Sequence, residues 1–195
     1  FCCPPCVDEF VALAKEKPEA VMIGHTGVGT TPHLAAVSFS QATGIAPRLV
    51  PYRLIGDAMT NSMAGIISGL FSAASSAITA QTSDKLRVLG QTGDRRIPQL
   101  SGVPTFAEHG ITMRGFDHGT WFGVVAPVDT PDAVVGKIAA ALDAVRRDEE
   151  LKQRLAKVGA TFRDDAAGSF GSFLRAQDEI WREFSATLRP VKVAN

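Results

Sequence analysis

The fold is decided by one stretch of the sequence, Val21-Met22-Ile23-Gly24-His25-Thr26-Gly27-Val28-Gly29-Thr30-Thr31-Pro32-His33. The apolar run over residues 20–23 predicts a short buried strand of a parallel sheet. A glycine-rich loop follows over residues 24–30. Thr31-Pro32 predicts a helix start, since threonine can cap free amides and proline favours the first helical position. This order of strand, glycine loop and helix is typical of α/β proteins, whose ligands bind at the carboxyl ends of the strands.

The glycine loop has the composition of an anion site. Glycine lets the backbone approach a ligand closely, and the free amides at a helix start attract negative charge. The candidate binding residues offer backbone amides, to which three threonines add hydroxyl donors, and they are Thr26, Gly27, Val28, Gly29, Thr30 and Thr31. The loop contains no Lys or Arg. We therefore expect it to hold a carboxylate through amides, hydroxyls and water, without a salt bridge, which favours reversible capture.

Two nucleotide-binding interpretations of this loop fail on detail. A phosphate-binding loop of the nucleotide-hydrolase type needs Gly-Lys-Ser/Thr, and no Lys is present. A dinucleotide fingerprint needs a third glycine where this loop has Pro32. A purely structural turn remains an open alternative.

Outward from the loop, strand and helix patterns alternate along the chain. Further strands are predicted over residues 48–52, 66–71, 86–91 and 120–126, with another candidate over 160–163. Helices are predicted over residues 8–17, 31–43, 55–64 and 73–80, with a short one over 106–109. Three more follow Thr130-Pro131, and the last carries an apolar stripe from Phe170 to Leu188. This alternation predicts a mostly parallel sheet covered by helices.

Composition excludes several classes of partner. The 195 residues carry 20 basic and 20 acidic side chains. A nucleic-acid or membrane-surface partner would need a basic excess, so we expect neither. No apolar run approaches the length that spans a bilayer, about 18–20 residues. All three cysteines lie within the first six residues, and residues 1–7 are interpreted as a disordered or non-native stub. Phe1 begins the chain without a leader pattern, which favours a fragment or a processed form.

Catalytic, metal and cofactor patterns are lacking. No Cys or His pair has the spacing of zinc ligands, and no Gly-x-Ser-x-Gly elbow surrounds any serine. His33 is interpreted as a packing or hydrogen-bonding residue. We expect no enzyme, metal or cofactor. The alternative is an α/β enzyme that uses the glycine loop to hold a phosphate or acyl anion, and it requires a carboxylate near His25 or His33.

Several stretches of the chain carry a family resemblance. They are Thr30-Thr31-Pro32-His33-Leu34-Ala35, Val50-Pro51-Tyr52, Arg87-Val88-Leu89, Pro98-Gln99-Leu100-Ser101-Gly102-Val103-Pro104-Thr105, Trp121-Phe122-Gly123 and Thr130-Pro131. In order and spacing they resemble the tripartite tricarboxylate transporter receptors, also called Bug or TctC proteins, from about Val7 to the end. The resemblance implies an extracytoplasmic, periplasmic solute-binding receptor that captures a small organic acid, such as a di- or tricarboxylate, and presents it to membrane transporter subunits.

The resemblance also implies a fold and a site. The fold is α/β, a periplasmic-binding-protein-like (type II) lobe with a C-terminal helical segment that belongs to the other lobe. Residues 8–119 would form the second ligand-binding lobe, and residues 120–195 the crossing strand and the helices that pack with the first lobe. Tyr52 and Ser72 fall where the family's loops face the cleft. Trp121 is interpreted equally as cleft wall or hinge packing.

The chain departs from the family pattern at two points. The glycine-rich loop of the family's N-terminal lobe is missing, which puts a closed cleft in doubt. Where the family often has Asp or Asn after a strand, this chain has Ser72-Ala73-Ala74, so a preference for amino-acid or hydroxylated ligands is not implied.

Overall fold

Three parallel strands form the sheet at the centre of the N-terminal part of the chain. The computed structural model describes residues 6–163 and 167–187. Strands β1 (Met22–His25), β2 (Arg48–Pro51) and β3 (Gly69–Leu70) lie in the order β2-β1-β3. Ile23 of β1 pairs with Leu49 on one side and Gly69 on the other. The predicted buried parallel strand is therefore the central strand of the sheet.

Helices follow the strands as the α/β prediction requires. Their bounds are α1 (Val7–Glu16), α2 (Thr31–Thr43), α3 (Ile55–Met63), α4 (Ala74–Ala80), α5 (Asp132–Arg146), α6 (Glu149–Lys157) and α7 (Ala167–Thr187). Short 3₁₀ turns cover Pro18–Ala20, Pro98–Leu100 and Ala107–His109. The α/β class with a parallel sheet is confirmed.

Helix α2 begins and ends at the predicted residues. It stops at Gly44, whose φ of 68° is a left-handed conformation that glycine adopts without strain. The predicted threonine cap is wrong, because neither threonine side chain caps the helix. The Thr30 hydroxyl donates to the Gly27 carbonyl at 2.7 Å instead.

Four phenylalanines join α1, α2 and two loops in one core. Phe39 of α2 lies at ring-centroid separations of 6.3 Å from Phe10, 5.7 Å from Phe71 and 5.2 Å from Phe106. These separations are favourable for aromatic pairs. Phe10, Phe39 and Phe106 are buried, so this cluster packs the helices against the sheet that carries the glycine loop.

Three predicted strands are wrong. Residues 86–91 form a single bridge, between Gln91 and Thr105, and residues 120–126 and 160–163 have no regular structure. The apolar Phe122 is 94% exposed. An apolar run becomes a strand only when another backbone pairs with it, and apart from the Gln91–Thr105 bridge no described residue pairs with these runs.

The chain divides into two compact units. One contains the described part of Phe1–Gly123 together with Glu149–Thr161, and the other contains Val124–Asp148 and the described residues from Phe162 onward. The second unit is helical. In it, the Arg163 guanidinium lies 4.1 Å from the centroid of the Phe173 ring, and Arg146 donates to the Arg163 carbonyl at 3.1 Å.

Among residues 6–163 and 167–187, no helix combines the length and the apolar character needed to cross a lipid bilayer. The predicted apolar stripe on α5 is present but half-exposed along its length, at Val134, Val135, Ile138, Leu142 and Val145. Leu188 and residues 1–5 of the predicted stub lie outside the described residues.

Candidate functional site

The carboxyl ends of all three strands meet at one edge of the sheet, because the strands are parallel. Thr26 follows β1, Tyr52 follows β2, and Ser72 lies two residues after β3. The Tyr52 amide donates to the His25 carbonyl at 2.8 Å. The structure thus brings the predicted loop, Tyr52 and Ser72 to the same edge. Trp121 is half-buried in a segment without regular structure, and its place at the site stays a prediction.

The glycine loop makes a tight turn between β1 and α2. Gly27 has φ of 118° and Gly29 has φ of 82°, and both values favour glycine. The Thr30 amide donates to the Gly27 carbonyl at 3.3 Å. The Thr26 hydroxyl lies 3.4 Å from the Thr30 hydroxyl. The glycines therefore have the conformational role that the sequence predicts.

The predicted orientation of two loop amides is wrong. The Gly27 amide donates to Nδ1 of His25 at 3.1 Å, and the Gly29 amide donates to Nδ1 of His33 at 3.3 Å. These two amides are held by the protein's own imidazoles and do not face an incoming anion. Side-chain acceptors next to a glycine loop compete with a ligand for its amides.

Other donors remain at the start of α2. The amides of Val28, Thr31 and His33 have no hydrogen-bond partner among the described residues. Pro32 has no amide hydrogen. Thr31 is exposed and is the first residue of α2, at the positive end of a 13-residue helix. The edge thus still offers neutral donors to an anion, from different positions than predicted.

Tyr52 is anchored beside the loop. Asn61 of α3 donates through Nδ2 to the Tyr52 hydroxyl at 3.0 Å. A Cβ added at Gly24 would lie 3.3 Å from the Tyr52 ring and 2.8 Å from Cδ1 of Ile67. Position 24 therefore has no room for a side chain, because the side chains of Tyr52 and Ile67 pack directly over the end of β1. The Tyr52 hydroxyl can still donate a hydrogen bond of its own.

His25 and His33 form a buried pair under the loop. Their ring centroids lie 4.7 Å apart, and the side chains are 2% and 8% exposed. Burial lowers the pKa of His33, and the neighbouring His25 lowers it further. Because both Nδ1 atoms accept amide hydrogens, the neutral rings carry their protons on Nε2.

Sequence reasoning missed the role of these two histidines. The available signal was their spacing, since His25 stands two residues before Gly27 and His33 four residues after Gly29. His33 was predicted to pack or to form hydrogen bonds, and in the structure it does both. Its partner, the Gly29 amide, was instead assigned to the ligand.

The enzyme alternative has no acid–base pair at the loop. No carboxylate of a described residue forms a hydrogen bond with His25 or His33. A histidine–carboxylate pair occurs elsewhere, where His109 lies 2.8 Å from Asp8 of α1. Asp8 also lines a shallow depression with Val11, Lys15, Ala42, Thr43 and Ile111. Across the described part of the chain, no three Cys, His, Asp or Glu side chains gather as metal ligands would.

Comparison with known proteins agrees with this geometry. The sequence model described as "Tripartite tricarboxylate transporter family receptor" matches residues 4–184. The chain belongs to this family. A curated relative, the "UPF0065 protein in tcbD-tcbE intergenic region" of Pseudomonas sp. (strain P51), is 27% identical over 183 residues, which are 94% of this chain and 54% of that protein. The chain thus spans about half the length of this relative.

Solved structures of similar proteins share the fold. MatC (Rpa3494) from Rhodopseudomonas palustris with bound malate superposes with a TM-score of 0.77 at 22% identity, covering 93% of this chain and 62% of that chain. R. palustris Rpa4515 with adipate gives 0.79 at 23%, covering 94% and 61%. The periplasmic binding protein BugD gives 0.77 at 25%, covering 92% and 60%. These neighbours confirm the periplasmic-binding-protein-like fold. The predicted absence of enzymatic activity agrees with a family of transport receptors.

Proposed function

We propose that this chain is part of an extracytoplasmic solute-binding receptor that captures a small organic carboxylate at the carboxyl edge of its sheet. One observation carries the proposal. The amides of Val28, Thr31 and His33 donate to no partner among the residues that the structure describes and lie at the positive end of α2, in a chain that belongs to a transporter receptor family. Neutral donors at a helix start suit a carboxylate that must be released again.

The site residues of this proposal are those gathered at the edge. Residues 26–31 supply the amides of Val28 and Thr31 together with the threonine hydroxyls, and Tyr52 and Ser72 contribute hydroxyls from neighbouring strand ends. Trp121 is included as a wall of the cleft. In this proposal residues 8–119 act as the ligand-binding lobe. Residues 120–195 connect it to the other lobe and pack with that lobe, and residues 120–126 form an extended connection without regular structure instead of the predicted strand.

The family supports a proposal for the ligand class and the partners. Two solved relatives hold malate and adipate, both dicarboxylates. We propose a di- or tricarboxylate, or a similar organic acid, as the ligand of this chain. The ligand-bound receptor would dock on membrane subunits of a tripartite tricarboxylate-type transporter, in the periplasm.

Titration calorimetry with malate, adipate and a panel of di- and tricarboxylates tests the proposal. Thr31→Val removes an exposed hydroxyl at the helix start and keeps the side-chain volume. A hydrogen bond to a charged group contributes about 1.5–3 kcal/mol, so we expect about tenfold or greater loss of affinity. The matched control is Thr79→Val on α4, where the hydroxyl donates to the Ser75 carbonyl, and it should bind normally. Absence of heat with every carboxylate, from protein shown to be folded, would contradict the proposal.

A further inference from the structure

The imidazoles of His25 and His33 each use one nitrogen to hold the loop and leave the other without a protein partner. Each Nδ1 accepts a glycine amide, at 3.1 Å and 3.3 Å. Neither Nε2 forms a hydrogen bond with any residue that the structure describes. Each side chain as a whole is nevertheless more than nine-tenths buried, so the Nε2 atom is available only through the small part of the ring that stays exposed. An acceptor from outside the protein can complete its hydrogen bonding there.

The two Nε2 atoms keep contact with solvent. Among the described residues, Gln99 Oε1 is the one enclosed side-chain polar atom that lacks a hydrogen-bond partner. The Nε2 atoms also lack partners, so they are not enclosed. Each Nε2 therefore keeps some exposed surface, although the side chains as a whole are buried.

The tautomer of each ring makes Nε2 a donor. An Nδ1 that accepts an amide hydrogen carries no proton, so the single proton of the neutral ring lies on Nε2. The ring centroids are 4.7 Å apart, so the two rings are neighbours beside the glycine loop. Neutral N–H groups present positive dipoles to an anion, without the cost of burying two like charges.

We infer that His25 and His33 are ligand-binding residues whose Nε2–H groups donate to the carboxylate captured at the glycine loop. This inference rests on the proposed function and adds two residues to its site. It also explains why the loop amides are turned inward. The Gly27 and Gly29 amides fix the tautomer and orientation of the imidazoles, and the imidazoles then present the donors to the ligand. A metal site uses the same principle, in which an outer hydrogen bond orients a histidine ligand.

Two kinds of substitution test the acceptor role of Nδ1 and the donor role of Nε2 separately. Asparagine places a side-chain oxygen near the position of Nδ1, so it keeps the acceptor for the glycine amide and removes the outer donor. Glutamine reaches further, so its amide nitrogen can replace the Nε2 donor while the inner acceptor is lost. The test set is His25→Asn, His33→Asn and His33→Gln, with His118→Asn as a control at an exposed histidine.

We expect His25→Asn and His33→Asn to unfold close to the wild-type temperature and to bind malate or adipate about tenfold to a hundredfold more weakly. His33→Gln should unfold at a lower temperature and lose less affinity than His33→Asn. His118→Asn should match the wild type in both measurements. Long-range ¹H–¹⁵N correlation spectra of the wild type should show Nε2-protonated rings for His25 and His33, with resonances that shift on addition of the carboxylate.

The outcomes distinguish this inference from the proposed function. If the wild type binds a carboxylate and both asparagine variants bind it equally well, the histidines are not ligand donors, and the receptor proposal stands. Protons on Nδ1 in the spectra would also overturn the inference, even if a variant fails to fold. If the folded wild type binds no carboxylate of the panel, the receptor proposal falls, and the histidine donors fall with it.

Discussion

The amide of Gly29 donates to Nδ1 of His33 at 3.3 Å, so a side chain in the first turn of α2 fixes the loop that precedes the helix. The bond requires a neutral imidazole, since a protonated Nδ1 cannot accept. His25 holds Gly27 in the same way at 3.1 Å. The shape of the loop therefore depends on one acceptor nitrogen in each of two buried rings.

Stability should fall as the pH drops below neutrality. Burial, with the neighbouring His25, lowers the pKa of His33 in the folded chain, whereas a histidine in the unfolded chain titrates near 6.5. The unfolded state thus binds more protons, and stability rises with pH in this range. The contribution of His33 is fully present above about pH 6.5 and is lost as the pH falls through its folded-state pKa. Urea unfolding at about pH 7.5 and about pH 5.5 measures the difference.

The control for this pH effect is His33→Gln, in which the difference between the two pH values should shrink. Glu108 does not interfere. Its hydrogen bond from Arg96, then one from the Thr105 amide, lower its pKa, so its contribution is lost only in more acidic solution. An equal pH dependence in wild type and variant would contradict the prediction.

Gly29→Ala should destabilise the chain by about 1–2 kcal/mol, because Gly29 has a φ of 82° that an L side chain adopts at this cost. An added Cβ meets no atom within 4 Å, so the penalty comes from the backbone alone. Gly56→Ala in α3 is the matched control. It has equally open space around its Cβ and no positive φ, and alanine there should cost nothing or add up to about 1 kcal/mol. Chemical denaturation of both variants gives the comparison, and equal losses would contradict the backbone explanation.

The sequence correctly predicted those secondary-structure elements whose ends are determined by residues within one or two turns. The start of α2 at Thr31-Pro32 and its end at Gly44 depend on the backbone preferences of proline and glycine, which act on their own turn. The predictions of strands over residues 86–91 and 120–126 were wrong because a strand depends on residues that are distant in the sequence. Their apolar composition is suited to a sheet, but pairing requires a second backbone whose position is a property of the whole fold.

The candidate site was also predicted only in part, and again the part that was predicted depends on local sequence. The position of the loop at the carboxyl end of a central strand was predicted, since strand order and loop composition determine it. The direction of the loop amides was not, because it depends on which acceptor lies within reach of each N–H. An imidazole nitrogen satisfies Gly29 as well as an external carboxylate could, and glycine spacing alone does not distinguish the two.

Gly24→Ala should cost about 1–3 kcal/mol, because its Cβ would lie 2.8 Å from Cδ1 of the buried Ile67. Ile67→Val removes that Cδ1 atom and by itself should cost about 0.5–1.5 kcal/mol. The double variant should therefore lose less stability than the sum of the two single variants. A double-mutant cycle from urea unfolding measures this coupling. Strict additivity would show that the crowding at Gly24 comes from Tyr52, 3.3 Å away, and not from Ile67.

The side chain of Gln91 forms three hydrogen bonds with the backbone of the proline-rich segment, residues 97–104. Its Nε2 donates to the carbonyls of Leu100 at 3.0 Å and Val103 at 2.7 Å, and its Oε1 accepts from the Ile97 amide at 2.9 Å. Gln91→Leu leaves the Val103 carbonyl and the Ile97 amide without partners, whereas the Leu100 carbonyl still accepts from the Val103 amide at 2.8 Å. Since each such buried group costs about 1–3 kcal/mol, we expect a loss of at least about 2 kcal/mol by urea unfolding.

Gln99→Leu is the matched control in the same segment, and it should give the opposite result. Gln99 Oε1 is enclosed and has no partner among the described residues. Replacing this side chain with an apolar one of similar size removes an unsatisfied acceptor, so stability should stay equal or rise. The contrast depends on hydrogen bonding alone, because both variants make the same chemical change within one short segment. If Gln99→Leu proves as damaging as Gln91→Leu, volume and packing set the stability of this segment, and the hydrogen bonds of Gln91 do not.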